Sequence, residues 1–344
     1  MKKILILQNT IMEYRKPVYN GLAQWYDVTV LHAGPESAGP DDRYREIIAP
    51  QRRIGPFHVQ RGAQIRRRMR NYDAVIAMFD LRWPTYLLPL LSQKKRPRII
   101  LWGHRYSGNE VANRARNFLM KHADKLLMYG DEEIERMVAR GIDRSRIVLA
   151  WNTIHVPNHQ DTSKSNKTGL LFIGRLQPSK KVHQLIEALA NLQGRIADEI
   201  TVEIIGSGEE ETLLRETAKR MGISEKVHFH GRIDDPELLL AHFKKAVTHV
   251  SPGPIGLSAL HSFAYGVPVI ANVKERNGPE FCNLRHGHNA LLVETQEEME
   301  QAIEKLCNDR AYAARLGHNA YLHYVEKRAL SRMLEGFREA IEGG

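Results

Sequence analysis

The chain has 344 residues, 42% hydrophobic and 26% charged, with a mean hydropathy of −0.42, which bounds it as a globular protein of about two domains. Its two cysteines, Cys282 and Cys307, sit in no metal-ligand spacing and exclude a disulfide framework, so a reducing cytoplasm is the expected setting. A net charge of +10 and a pI of about 9.5 favour an anionic partner.

The opening "MKKILILQNTIMEY" has two lysines and a short apolar run, but the run meets Gln8 and Asn9 early and no small-residue cleavage site follows. It therefore reads as a buried first strand and not as a signal peptide. Further strands are predicted over 26–33, 72–79, 98–103, 124–130 and 146–152, with helical patterns over 16–25, 116–123 and 131–141 between them. Strands separated by helices indicate βαβ units and a parallel sheet covered on both faces. The nearest approach to a membrane span, "WPTYLLPLL", is about half the roughly 18 residues required and is broken by prolines.

Charge is concentrated within this first half. Residues 52–70, "RRIGPFHVQRGAQIRRRMR", hold seven arginines and no acid, and "QKKRPR" follows at 93–98. Such a stretch suits a membrane surface, an anionic lipid-linked substrate or a nucleic acid, and it is also what a plain solvated basic face looks like. The arginines are not interleaved with aromatics in the manner of single-strand binders and no zinc-finger or RNA-recognition signature is present, so nucleic acid ranks below membrane.

Residues 153–169, "TIHVPNHQDTSKSNKTG", are polar and aperiodic and read as an interdomain linker. Alternation then restarts, with strands over 169–174, 199–206, 226–231, 247–252 and 268–272 and helices over 180–192, 209–222 and 235–246. The expected class is α/β, two doubly wound Rossmann-like halves facing a central cleft, with ligands outside the carboxyl ends of the strands.

Several residues fall at those strand ends. Arg175 follows Gly174 at the end of one strand and Lys180 precedes a helix, a place where a diphosphate can be held by charge and backbone donors. "IIGSG" ends the next strand with Gly206, Ser207 and Gly208, which permit close backbone approach or a simple tight turn. "FHGRI" exposes Arg232 and Ile233 at another strand end.

The order of these pieces is more specific than any one of them. "GRL…K…LIEAL", "IIGSG", "VHFHGRI", "SPGPIGLSALHSFAYGVPVIA", "NGPEF" and "HGHNALLV" together resemble the donor-binding half of retaining GT-B glycosyltransferases of family 4, the glycosyl transferases of group 1. In the first half, "NTIMEYRKPVYNGLA", "LWGHRYSGNE" and "WNTI" resemble, more loosely, a bacterial subgroup that builds surface polysaccharides. The resemblance implies an acceptor-binding domain over 1–155, a linker over 156–167, a nucleotide-sugar-binding domain over 168–322, and a C-terminal helix over 323–344 that crosses back to the first domain.

It also implies roles. Arg175 and Lys180 match the cations that clasp the donor diphosphate and stabilise the leaving nucleoside diphosphate. His104 matches a histidine that faces the sugar, and the backbone around Arg232 and Ile233 matches the nucleobase site. Gly256, Leu257 and Ser258 match a helix start whose amides meet the phosphates. Departure of a nucleoside diphosphate asks for cations at the leaving oxygens and for exclusion of water; the resemblance implies that no metal or other cofactor is needed, and the absence of an Asp-x-Asp cluster is consistent with that. The acceptor is expected to be an anionic, lipid-linked glycan of lipopolysaccharide or other surface-polysaccharide synthesis. Arg15 and the run Arg66, Arg67, Arg68 and Arg70 would meet it, or the inner face of the cytoplasmic membrane.

One departure from the pattern stands out. Relatives carry two glutamates eight positions apart in the 251–270 segment, and here those positions are Gly253 and His261. The sugar contact would pass to backbone groups of Pro254, Ile255, Gly256 and Leu257 or to Glu280, while His261 either reaches the ribose through a ring nitrogen or packs in the core. Two alternatives stay open: a nucleotide-sugar 2-epimerase of the same architecture, and a non-catalytic relative that only binds the sugar nucleotide.

Overall fold

The computed structural model describes residues 1–87, 90, 96–103, 106–131 and 133–343. They form two compact units, residues 1–155 with 330–344 and residues 156–329.

In unit 1 the strands are β1 (Lys3–Leu7), β2 (Asp27–His32), β3 (Arg45–Ile48), β4 (Arg52–Ile54), β5 (Phe57–Val59), β6 (Ala74–Met78), β7 (Arg98–Trp102), β8 (Lys125–Met128) and β9 (Ile147–Leu149). The helices are α1 (Lys16–Leu22), α2 (Gly62–Met69), α3 (Pro84–Leu87), α4 (Glu110–His122) and α5 (Ile134–Ala139), with the last helix of the chain, α12 (Leu330–Glu342), added to them. All strands but β4 and β5 pair in parallel in the order β3-β2-β1-β6-β7-β8-β9, so the winding reverses between β1 and β6. Central strands such as "AVIAM" and, after its exposed Lys3, "KILIL" are apolar because helices cover both faces. One face packs on α2 to α5 and the other on α1 and α12. On the second face Phe337 of α12 is fully buried, edge-on to Trp102 at 4.9 Å.

In unit 2 the strands are β10 (Gly169–Ile173), β11 (Thr201–Ile205), β12 (Val227–Phe229), β13 (Ala246–Ser251), β14 (Val269–Asn272) and β15 (Ala290–Val293). The helices are α6 (His183–Asn191), α7 (Glu211–Arg220), α8 (Pro236–Lys245), α9 (Ser258–Ala264), α10 (Gln296–Asn308) and α11 (Arg310–His323). The sheet is parallel in the order β12-β11-β10-β13-β14-β15, so its winding reverses between β10 and β13.

The stretch read as a linker is packed structure. Thr162, Ser163 and Lys167 are buried in unit 2, and the Lys167 ammonium donates to the carbonyl of Ala246 at 2.8 Å. Its polar composition reflects side chains that satisfy carbonyls at helix ends and at the start of β13: Thr162 donates to the Tyr265 carbonyl at 2.6 Å, and Lys167 to those of Phe243 and Ala246. The π-helical turn Tyr324–Arg328 also belongs to unit 2, so the chain passes to unit 1 only at 330. No helix among the described residues is long and apolar enough to cross a membrane.

Candidate functional site

In an open α/β sheet the crevice at the winding reversal collects the loops of diverging strands, and ligands bind there. In unit 2 that crevice lies between the loop after β10 and the loop after β13. The first carries Arg175 and Lys180, and the second runs from Gly253 to Leu257.

These two loops are in close contact. The Gly253 amide donates to the Lys180 carbonyl at 3.1 Å, and Lys180 Nζ donates to the Pro254 carbonyl at 2.5 Å. A Cβ on Gly253 would stand 2.2 Å from the Ser179 carbonyl oxygen and 2.7 Å from Lys180 Cα. Position 253 therefore cannot carry a side chain while this loop keeps its course, and glycine there is a packing requirement. A second glycine is needed beside it. A Cβ on Gly206 would fall 1.8 Å from the Gly174 carbonyl oxygen, where the ends of β10 and β11 converge at a φ of +143°.

Backbone bonds lace the strand ends together: Gly174 N to Ile205 O at 3.0 Å, Leu176 N to Ser207 O at 3.0 Å, and Gly206 N to Gly231 O at 2.7 Å. Loops holding Arg175, Ser207, Gly208 and the Arg232–Ile233 pair are thus one assembly. Arg232 is exposed and paired with Asp234, with Nε 2.8 Å from Oδ2. On the other flank the 255–257 loop is latched to the turn after β14. Ile255 N donates to Asn277 Oδ1 at 2.9 Å, and Gly278 N to Ile255 O at 2.8 Å. The sequence reading missed Asn277; the turn-forming "NGP" was the signal for it. Glu280 is buried, with its carboxylate lying against Gly256 and Gly278.

The two cations differ from their neighbours. Lys181 is paired with Glu275 at 2.5 Å, whereas Arg175 and Lys180 have no carboxylate partner among the described residues. Burial, and secondarily the charge of Arg175, hold Lys180 below the usual lysine range. An anion in the crevice would offset both effects.

Gly256, Leu257 and Ser258 stand at the start of α9, a seven-residue helix. His261 sits in that helix with its ring against Phe243 at 5.2 Å and Tyr265 at 5.6 Å, and burial pushes it down to about 4, so it is a neutral imidazole at pH 7.

Unit 1 separates the residues grouped there as acceptor contacts. Arg66, Arg67, Arg68 and Arg70 lie exposed on or just beyond α2, whose apolar residues Ile65 and Met69 are turned to the core. Beside them is a cleft of about 690 Å³ lined by Arg52, Gln60, Arg61, Gln64 and Arg68 above an apolar floor of Leu31 and Ile65. The β4–β5 hairpin presents Ile54 and Phe57 to solvent at its tip.

Arg15 does not belong to this face. It is buried, with its guanidinium 4.8 Å from the Trp102 ring, 5.1 Å from that of Tyr129 and 5.0 Å from that of Tyr14. Aromatic faces accept a guanidinium more readily than an ammonium, which accounts for arginine at that position and removes it from any membrane-facing role. His104 lies outside the described residues.

Residues 157–323 match the family model for glycosyl transferases group 1. Over 167 residues the chain is 32% identical to the lipopolysaccharide core biosynthesis glycosyltransferase LpsE of Rhizobium meliloti, a match covering 47% of each protein. The chain spans about half the length of the curated relatives it matches. Among solved structures it resembles a glycosyltransferase of Rickettsia africae, with a TM-score of 0.77, 16% identity and coverage of 100% of this chain and 99% of the other. It also resembles Anabaena Alr3699/HepE in complex with UDP, with a TM-score of 0.75, 17% identity and full coverage of both chains. The fold is two Rossmann-like α/β units, that of GT-B glycosyltransferases.

Proposed function

We propose that the protein is a glycosyltransferase that moves a sugar from a nucleoside-diphosphate donor to a glycan acceptor. The observation that carries this reading is the pair Arg175 and Lys180, free of carboxylate partners among the described residues, at the winding reversal of unit 2. That is the segment matched by the glycosyl transferases group 1 model.

In this reading the two cations take up the charge that develops on the diphosphate as the glycosidic bond to phosphate breaks. The glycines at 206 and 253 bring the strand ends close enough for backbone groups to line the diphosphate. Arg232 and Ile233 receive the base, and neutral His261 offers one donor and one acceptor for ribose hydroxyls. With no side chain at 253, the Pro254 to Leu257 backbone and Glu280 read the sugar. Retention of anomeric configuration fits a leaving phosphate oxygen that also takes the acceptor proton, and it needs no metal at the diphosphate.

The acceptor in this reading is an anionic lipid-linked glycan of lipopolysaccharide or a related surface polysaccharide. Support comes from the LpsE likeness and from the exposed arginines of α2 beside the apolar hairpin tip, a combination suited to a membrane surface. A panel of UDP- and GDP-sugars tests the donor assignment. At least one should raise the melting midpoint of the protein and be slowly hydrolysed; if none shifts the midpoint, the reading fails.

A further inference from the structure

Away from the crevice, one group of side chains is arranged to take a metal ion. Along β11, Val202 and Ile204 enter the core with α6 and α7, so the alternation turns Glu203 to the opposite face. There it meets His230, just past the end of β12, and His242 of α8. Glu203 Oε2 is 2.6 Å from His230 Nε2, and the His230 and His242 rings lie 4.2 Å apart between centroids. One ligand atom from each of the three falls within 4.8 Å of the others, and all three residues are half-buried. His228, two residues earlier on β12, places Nε2 4.0 Å from Glu203 Oε1, and the Thr201 hydroxyl donates to that same oxygen at 2.7 Å.

We propose that Glu203, His230 and His242 bind a divalent transition-metal ion of the zinc class, with His228 within reach as a further ligand. Two imidazoles and a carboxylate without a thiolate favour Zn²⁺, Co²⁺ or Ni²⁺ over Mg²⁺ or Ca²⁺, which prefer all-oxygen shells. Ligand atoms about 2.1 Å from a tetrahedral ion stand about 3.4 Å from one another. The Glu203–His230 pair has to open and the wider separations have to close, changes that fall to side-chain torsions.

The protonation states agree with this. Burial pushes Glu203 up, but hydrogen bonds from Thr201 and His230 outweigh it, and the carboxylate sits below its usual range. Burial and then the neighbouring His230 lower His242, against Glu203, which raises it, and alongside Lys245, which lowers it further; the imidazole stays neutral. The ion would take the place of the hydrogen bond that now joins Glu203 and His230, with the ring presenting Nε2 as a ligand.

The ion would tie β11, the end of β12 and α8 together. Gly231, whose carbonyl receives the Gly206 amide, and Arg232 follow His230 directly, so the metal would fix the strand end assigned above to the nucleobase. Its part is to position that strand end, and metal binding stands or falls independently of the sugar-transfer reading.

The test uses the full chain, stripped with a chelator and titrated with ZnCl2 and CoCl2. One ion per chain should survive gel filtration, Co²⁺ should give the visible absorption of a low-coordinate site, and Zn²⁺ at about a hundredfold excess over its Kd should raise the melting midpoint by about 5 °C or more. His242→Gln and Glu203→Gln should each weaken binding at least about tenfold. Absence of stoichiometric binding to the wild-type protein overturns the proposal. So does binding unchanged in both variants, which would place the ion on other histidines of the chain. The wild-type Co²⁺ spectrum decides the matter even where a variant fails to fold.

Discussion

Replacing Gly253 by alanine isolates the packing that holds Lys180 in place. The new Cβ would stand 2.2 Å from the Ser179 carbonyl oxygen, and real Cβ contacts essentially never fall under 3.0 Å. The 178–181 loop or the 252–254 backbone must therefore move by at least about 0.8 Å, the difference between those distances. Overpacking of this kind costs about 1–3 kcal/mol, and strain on the Gly253 N to Lys180 O bond adds about 0.5–1.5 kcal/mol. For a unit of this size the total of about 1.5–4.5 kcal/mol should lower the midpoint by about 3–18 °C. Because the displaced segment carries Lys180, the cation proposed to meet the leaving diphosphate, turnover should fall more than stability implies, by about a hundredfold for a shift near 1 Å. Gly253→Glu, the residue that the family resemblance implies at this position, should be more damaging still. Differential scanning calorimetry and initial rates with the preferred nucleotide sugar measure both effects. A Gly253→Ala protein with wild-type midpoint and turnover would refute the packing argument.

Arg175→Ala and Lys180→Ala should each lower turnover by two or more orders of magnitude with an unchanged midpoint, since a charge at a leaving diphosphate contributes several kcal/mol in a dry site, ~2.7–4 per donor removed; turnover within threefold of wild type would sink the assignment. A bound diphosphate should raise the Lys180 pKa from its depressed value, so donor affinity is full below the free-protein pKa and declines as pH rises towards the bound one, measurable by calorimetric titration in alkaline buffers. Replacing Arg66, Arg67, Arg68 and Arg70 with glutamine should weaken sedimentation with anionic vesicles and spare donor hydrolysis; undiminished sedimentation counts against a membrane-facing patch. Burial lowers Lys167 to about 7 in the folded chain, against 10.5 as its ordinary value. The unfolded state then binds the extra proton between those values, so stability should rise with pH from about 7 towards 10.5, by up to about 1.4 kcal/mol per pH unit, and Lys167→Met should flatten that slope.

Much of the architecture was legible because its signal is local. Strand cores such as "ILIL", "AVIAM" and "GLLFI" are apolar end to end, and capped helices such as α8, whose Asp235 accepts from the amides of Glu237 and Leu238, announce their own starts. The features missed depend on tertiary context. β3 and the β4–β5 hairpin are short, charged and half-exposed, so their sequences carry no period-2 apolar pattern. The packed 156–168 stretch buries polar side chains on carbonyls at helix ends and at the start of β13, and composition alone cannot tell that from a tether. Arg15 looked like a surface cation because nothing in the "MEYRK" stretch shows that Trp102 and Tyr129 fold around it. Gly253 was legible as a substitution, while its physical cause, the Ser179–Lys180 backbone 74 residues away in sequence at Pro254, emerged only in three dimensions.

The central claim is that Arg175 and Lys180 hold a donor diphosphate at the winding reversal of unit 2. A crystal structure with an intact nucleotide sugar tests it most directly. The account predicts phosphate oxygens in ion-pair contact with both Arg175 and Lys180, the diphosphate against Gly206 and the 253–257 backbone, and the base beside Arg232 and Ile233. A diphosphate bound elsewhere, with both cations left in solvent, would contradict it.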